Sequence, residues 1–333
     1  MNAFLFVLAV LAVVLLGLAW FTRRTARRIE QFLPPKGQFV DVPGGRLHVR
    51  LHDSAGPAAP AVLLVHGLGG QMGHFDYGLA ERLARRYRVA VVDRPGAGHS
   101  VRDALHAADV CTQAAALAVL IRKLELGRPT VVGHSLGGAI ALALALDHPD
   151  EVGALALVAP LTRTQASAPE VFKALTIETP WLRKLFAWTL ATPGAIAGSK
   201  KVLEQVFAPE PAPADFAVKG GGLLSLRPKQ FLEASSDLQA IPACMPAVEA
   251  RYGELKLPVA VLYGRQDALL DWKQNGQGLV DRVAGARLEL VDGGHMLPVT
   301  QPDVTADFVE RVAGERALTS QQAAVKATVP PVT

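Results

Sequence analysis

The chain has 333 residues, of which 50% are hydrophobic and 19% are charged. This balance excludes disorder for most of the chain and suits one large α/β domain that carries an insertion. Its 30 glycines and 23 prolines follow no repeat, which excludes collagen-like and low-complexity architectures. The formal net charge of +4 is accounted for by four clustered arginines, Arg23, Arg24, Arg27 and Arg28. The remainder has no basic excess, so nucleic acid is not an expected partner.

The two cysteines, Cys111 and Cys244, lie far apart in the sequence, and neither belongs to a CxxC motif or a Cys/His cluster. This spacing supports neither a disulfide framework nor a structural zinc site. We therefore interpret both cysteines as small hydrophobic residues and expect no metal.

The first element is an uncharged apolar segment at residues 3–21, which is long enough to cross a bilayer as a helix. The alternative is a cleaved signal peptide, with Gly17 and Ala19 as small residues near a cleavage site; the lack of a basic residue before the segment argues against it. We assign residues 1–22 to a transmembrane anchor and residues 23–37 to a basic linker. Because the positive charge follows the segment, the positive-inside rule places the globular part of the chain on the cytoplasmic side.

After the linker, the pattern predicts a β-hairpin and then strands that alternate with helices, which is typical of a mostly parallel sheet covered on both faces. The hairpin strands are 38–42 and 46–51. The predicted buried strands are 61–65, 88–92, 130–133, 154–159, 258–263 and 287–291, and the predicted helices are 79–86, 109–124, 136–147, 272–283 and 302–312.

About a hundred residues between Ala159 and Pro258 lack a convincing buried strand, which indicates an inserted segment of short helices and loops. The predicted domains are therefore a first core part at 38–159, a cap at 160–250 and a second core part at 251–315. The polar residues 316–333 are expected to be a disordered tail.

The sequence Gly133-His134-Ser135-Leu136-Gly137 fits G-x-S-x-G and joins a predicted strand to a predicted helix. In that context a sharp turn presents the serine hydroxyl above the edge of the sheet, so Ser135 is the candidate nucleophile. The alternative interpretation is a tight turn without chemistry.

A serine nucleophile needs a base, and the base needs an orienting carboxylate. Asp267 and His295 each follow a predicted strand, and the order Ser135, Asp267, His295 is the one expected of this architecture. Asp271 and Asp292 remain rival candidates for the acid. The histidines at positions 48, 52, 106 and 148 are interpreted as surface groups.

Two backbone amides are expected to form an oxyanion hole. Leu136 follows the candidate nucleophile, and Leu68 lies in the glycine-rich loop His66-Gly67-Leu68-Gly69-Gly70 after strand 61–65. His66 itself is interpreted as a structural hydrogen-bonding group.

These motifs, with DRPGAGHS at 93–100, GRQD at 264–267 and GGH at 293–295, resemble the α/β-hydrolase family in its serine-nucleophile branch with a helical cap. The resemblance covers about residues 38–315. It implies that Ser135 is the nucleophile, His295 the general base and acid, and Asp267 the orienting acid. It also implies a mainly helical cap inserted after the sixth core strand.

The expected function is a membrane-anchored, esterase- or lipase-like serine hydrolase that cleaves carboxylic esters, with apolar or lipid-derived acyl groups favoured and no cofactor. A small-molecule ester and membrane lipid are the expected partners. Carbon–carbon bond hydrolysis, acyl transfer and, from another class, a non-catalytic binding role remain alternatives. The expected lining of the acyl pocket includes Phe172, Trp181 and Trp188, with Leu185 and Phe207; the alternative is that these residues form a small core of the cap.

Overall fold

The computed structural model describes residues 3–328, with side chains up to residue 315. A nine-stranded sheet forms its centre, in the order β1-β2-β4-β3-β6-β7-β8-β9, with β5 paired to β2. The strands are β1 (Gln38–Val42), β2 (Gly45–His52), β3 (Ala61–Val65), β4 (Arg88–Val92), β5 (Val101–Arg102), β6 (Thr130–His134), β7 (Ala154–Val158), β8 (Val259–Gly264) and β9 (Arg287–Val291). From β4 to β9 along the sheet, every neighbouring pair is parallel. The predicted fold class, a mostly parallel sheet with helices on both faces, is confirmed.

Helices cover both faces of the sheet, which explains why every residue of the central strands β3, β6, β7 and β8 is buried. The helices are α1 (Ala3–Phe32), α2 (Leu79–Leu83), α3 (Val110–Lys123), α4 (Leu136–Asp147), α5 (Pro180–Phe186), α6 (Thr192–Phe207), α7 (Pro228–Ala250), α8 (Gly278–Val280), α9 (Leu297–Thr300) and α10 (Pro302–Thr328). Leu63 and Val65 of β3 pack with α3 and α4, whereas Val62 and Leu64 pack with α2 and α10.

The segment between β7 and β8 is helical. A π-helical segment at 187–191 joins α5 to α6, and 3₁₀ turns lie at 170–176 and 222–226. The long helix α7 then returns to the core and packs against α3 and α4. Because β5 is a two-residue bridge outside the main path of the sheet, the insertion follows the sixth strand of that path.

The cysteines differ from the expectation, because Cys111 of α3 and Cys244 of α7 form a disulfide, with their Cα atoms 6.3 Å apart. The interpretation of the two residues as unpaired hydrophobic side chains was wrong. Their sequence neighbourhoods contain no sign of pairing, since the two helices meet only after the insertion has folded back onto the core.

Both terminal segments are more helical than expected. Helix α1 continues through most of the predicted 23–37 linker to Phe32, so the basic residues extend the apolar helix. Thr22 and Ile29 are buried, and this end of α1 packs against residues 187–191 and 222–226 of the insertion. At the other end, α10 runs to Thr328 through part of the expected disordered tail. Residues 329–333 of that tail lie outside the described residues.

Candidate active site

Ser135 lies in a sharp turn between β6 and α4, with φ 55° and ψ −122°. A positive φ is uncommon for residues other than glycine. The surrounding structure must therefore hold Ser135 in this backbone conformation. The flanking glycines explain how it does so: a Cβ on Gly133 would lie 2.5 Å from the carbonyl oxygen of Gly137. A Cβ on Gly137 would lie 2.3 Å from the carbonyl oxygen of Val65. The G-x-S-x-G pattern is therefore required by close backbone packing at this turn.

His295 and Asp267 meet at the same edge of the sheet. The Nδ1 of His295 lies 2.7 Å from the Oδ2 of Asp267, and both side chains are buried. The other carboxylate oxygen, Oδ1, accepts hydrogen bonds from the amides of Leu269 and Leu270 at 2.8 and 3.0 Å. Asp267 is thus held by its own loop in one orientation, with Oδ2 directed at the imidazole.

The rival carboxylates have other partners. Asp271 accepts a hydrogen bond from the amide of Lys273 at 2.7 Å, as expected for a residue that begins a helix. Asp292 is 88% exposed and pairs with Arg265 at 3.8 Å. Of the three candidate acids, the structure brings only Asp267 to His295.

The two expected oxyanion amides lie beside Ser135. Leu136 is the first residue of α4, and Leu68 lies in the loop after β3. Both residues line the cavity that contains Ser135 and His295. Within residues 3–328, neither amide donates to a protein acceptor. Two free amides near a serine can stabilise an oxyanion.

His66 is buried and bonded at both ring nitrogens, in agreement with its interpretation as a structural group. Its Nδ1 donates to the carbonyl of Gly67 at 2.9 Å, and its Nε2 accepts from the amide of Arg94 at 3.0 Å. Burial, followed by the charge of Arg94, lowers the pKa of His66 well below its usual value. The imidazole is therefore neutral, as its two bonds require.

His48 contradicts its interpretation as a surface group. It is buried, and its Nδ1 lies 2.8 Å from Asp93 Oδ2. Asp93 also accepts hydrogen bonds from the amides of Met72 and His99, so it braces the loop after β4. Because neighbouring side chains of a strand point to opposite faces, the apolar residues on either side of His48 in β2 favoured an outward histidine. The loop that contains Asp93 covers the face of β2 on which His48 lies. No local pattern in the sequence of β2 indicates that this face is covered.

Two cavities meet at Ser135 and His295. One has a volume of about 560 Å³ and extends beneath residues 164–169 and α7. The other has a volume of about 480 Å³ and extends beneath α5 and α6. Leu68, Phe172 and Leu269 line both. Most of the lining is apolar, so the site can accept a substrate with an apolar chain on either side of the serine.

Among the residues expected to line the acyl pocket, Phe172 lines both cavities, whereas the expectation for Trp181 and Trp188 was wrong. Trp181 is 69% exposed and Trp188 is 39% exposed, and neither lines either of these cavities. Phe186 and Leu190, on another face of the same helical segment, line the second cavity instead. A helix exposes only one face to a cavity, and the sequence does not show which face that is.

The side chain of Leu185 is exposed, like those of the two tryptophans. Phe207 is fully buried in a small cluster with Phe216 and Met296. Sequence reasoning also missed His74 and Gln71, which line the second cavity. Both residues closely follow the glycine-rich loop 66–70, and their position next to this loop was the feature of the sequence that could have indicated them.

The buried histidines predict how stability depends on pH. Burial is the main cause that lowers the pKa of His66 and His134 well below the usual value and that of His74 to about 4. Below about pH 6.5 the unfolded chain binds protons that the native protein does not, so the free energy of unfolding should fall between pH 7 and pH 4. Each such group contributes at most about 1.4 kcal/mol per pH unit.

Urea unfolding at pH 7, 6 and 5 measures this slope. His134→Gln removes one of the groups and should make the slope shallower. A free energy of unfolding that stays constant or rises toward pH 5 would contradict the prediction.

Comparison with known proteins identifies the fold family of the chain. The family model of the alpha/beta hydrolase fold matches residues 60–302. An uncharacterized protein of Mycobacterium bovis is 35% identical over 136 residues, which cover 41% of this chain and 38% of that protein. The chain thus spans about two fifths of the length of that relative.

Two solved structures share the fold. An alpha/beta hydrolase fold protein from Burkholderia ambifaria has a TM-score of 0.69 and 23% identity, covering 82% of this chain and 96% of that one. A membrane phospholipase A, described as a bacterial virulence factor, has a TM-score of 0.67 and 23% identity, covering 94% of this chain and 97% of that one. The match of the family model over most of the chain, on the sheet and loops described above, shows that the protein belongs to the alpha/beta hydrolase family.

Proposed function

We propose that this protein is a serine hydrolase that cleaves carboxylic esters through an acyl-enzyme. The observation that carries the proposal is the 2.7 Å contact between His295 and Asp267 beside a cavity that also contains Ser135 in its strained turn. This arrangement supplies a nucleophile, a base and an orienting carboxylate.

In the proposed reaction, the Ser135 Oγ attacks the ester carbonyl carbon while His295 Nε2 takes the hydroxyl proton. The amides of Leu68 and Leu136 stabilise the negative oxygen that forms. The tetrahedral intermediate collapses, the alkoxide leaves as an alcohol with the proton from His295, and the acyl group remains on Ser135. Water then attacks the acyl-enzyme and gives its proton to His295. The second collapse releases the acid, and the proton returns to Ser135.

The proposed substrate has an apolar acyl or alcohol chain. Two largely apolar cavities extend from Ser135, and Phe172 lies between them as a wall common to both. An ester with a chain on each side of its carbonyl would fill both cavities, whereas a small polar ester would leave apolar surface in contact with water. The same arrangement accommodates a diketone or an acyl acceptor, so the reaction class is decided by assay.

The proposed location is a membrane. Helix α1 is the one helix among residues 3–328 that is long and apolar enough to cross a bilayer, and a signal sequence would pass the same test. Its basic end packs on the insertion, and Glu30 lies 3.8 Å from Arg227. Trp181, Leu185 and Trp188 are exposed on that insertion. Aromatic side chains of this kind are typical of membrane interfaces, which supports a lipid-derived ester as substrate.

The side of the membrane has two indications. The basic residues that follow the apolar part of α1 favour a globular part on the cytoplasmic side. The disulfide between Cys111 and Cys244 is typical of the oxidising side. These observations favour opposite sides, and alkylation of the two thiols in intact cells, before and after reduction, distinguishes them.

The assay that tests the proposed function uses full-length protein recovered with the membrane fraction. We expect that the activity resists a salt wash and that kcat/KM on p-nitrophenyl esters rises with acyl chain length, because each buried methylene adds about 0.8 kcal/mol of binding. Activity in the soluble fraction would refute the anchor. A rate that is greatest for acetate and falls with every added methylene would refute the apolar substrate, and failure to cleave any ester would favour the alternative reaction classes.

A further inference from the structure

A buried arginine connects the Leu68 loop to the inserted segment. Arg94, in the loop after β4, is 1% exposed. Its Nε donates to the carbonyl of His66 at 2.9 Å, and its Nη2 donates to the carbonyl of Gly67 at 2.9 Å. Its Nη1 faces the other way and donates to Gln113 at 2.7 Å and Asp237 at 2.8 Å. One planar guanidinium thus holds two consecutive carbonyls of the loop and one carboxylate.

The Gly67 carbonyl accepts three hydrogen bonds. The donors are Arg94 Nη2, His66 Nδ1 at 2.9 Å and the amide of Gly70 at 3.2 Å. This carbonyl and the N–H of Leu68 belong to one peptide unit, which is planar and trans, so they point in opposite directions. Fixing the carbonyl toward Arg94 therefore fixes the direction of the Leu68 N–H.

The position of Arg94 depends in turn on α7. Asp237 of α7 is 3% exposed, and its carboxylate accepts from Arg94, from Arg102 Nη1 at 2.7 Å and from Gln113 at 3.3 Å. A buried charge must be paired because its desolvation is costly, so the guanidinium stays where Asp237 holds it. Arg102 shares this carboxylate and also pairs with Glu233, yet within residues 3–328 it makes no hydrogen bond to the His66–Gly67 loop.

We propose that Arg94 and Asp237 are positioning residues through which the inserted segment aims the Leu68 N–H at the developing oxyanion. The inference rests on the proposed function, since it assigns a cause to the geometry of that same site. The inserted segment then has a role in the chemical step in addition to forming the walls of the cavities.

Arg94→Lys tests the proposal. A lysine can pair with Asp237, but its single ammonium cannot donate to both loop carbonyls in the fixed geometry of a guanidinium. We expect kcat to fall about 10- to 100-fold, somewhat less than the loss of a whole oxyanion donor, while KM changes less than about threefold. The affinity for a trifluoromethyl ketone, which binds serine hydrolases as a tetrahedral oxyanion, should fall by the same factor as kcat/KM.

Arg102→Lys is the matched control. It disturbs the same carboxylate and should lower the melting temperature to a similar extent, with kcat within about twofold of the native value. Asp237→Asn keeps the shape of the side chain but removes the charge, and its kcat should lie between those of the other two variants. These differences would not arise if the network only stabilised the fold.

Two results would overturn the inference. If Arg94→Lys has native kcat and native affinity for the ketone, the guanidinium does not position the amide. If Arg102→Lys loses as much kcat as Arg94→Lys, the loss follows from stability. Ester hydrolysis that survives Ser135→Ala is a separate result, because it would reject the proposed function itself and the inference with it.

Discussion

Ser135→Ala is expected to lower ester hydrolysis by about 10⁶-fold, because in the proposed mechanism the nucleophile and its base act as a unit and the remaining groups provide only binding and oxyanion stabilisation. The same variant should lose all covalent labelling by a fluorophosphonate probe. The fold should persist, since the Ser135 hydroxyl has no hydrogen bond to another protein group that the substitution would leave unpaired within residues 3–328.

Ser167→Ala is the control, because Ser167 lines the same cavity but lies in the loop of the insertion that precedes its first helical turn. Its labelling and its rate on every ester should match those of the native protein. If Ser135→Ala retained labelling at native speed, the nucleophile would be a different residue and the proposed mechanism would be wrong.

Asp267→Asn is expected to lower kcat by about 10⁴-fold, and the hydrogen bonds of its loop explain why. The Asn Oδ1 would still accept from the amides of Leu269 and Leu270, as the aspartate does. The Asn amide nitrogen would then face His295 Nδ1 and donate to it. The imidazole would carry its proton on Nε2, where it could not accept the proton of Ser135.

Two matched variants test the assignment of the acid. Asp271→Asn and Asp292→Asn remove carboxylates close in sequence that contact other groups, and both should keep kcat within about threefold of the native value. A near-native rate for Asp267→Asn together with a large loss in either control would move the orienting role to that residue.

Much of the fold was predictable, because strands that are covered on both faces of a sheet are rich in apolar residues along the chain. The predicted strands that correspond to β3, β4, β7 and β9 have their predicted bounds to within a residue. The chemistry-bearing residues followed from position as well, since carboxyl ends of parallel strands meet at one edge. This rule brought Asp267 and His295 together across 28 positions of sequence.

The inserted segment was less predictable, because its helices pack on surfaces formed by distant parts of the chain. Trp181 and Trp188 had the composition of pocket residues, and only the docking of α5 and α6 shows that they face outward. The helical continuation of α1 to Phe32 depends in the same way on its contact with residues 187–191.

The sequence by itself determined the sheet, the strand-to-helix turn at Ser135 and the order of the candidate catalytic residues, because these depend on periodicity and on neighbours along the chain. Only the tertiary structure decided that Cys111 meets Cys244, that His48 is buried on Asp93, and that Arg94 holds the Gly67 carbonyl while Asp237 holds Arg94. Each of these contacts joins segments that are remote in sequence. The energy of burying a charge or a polar group depends on the partner that arrives there, and no local pattern records that partner.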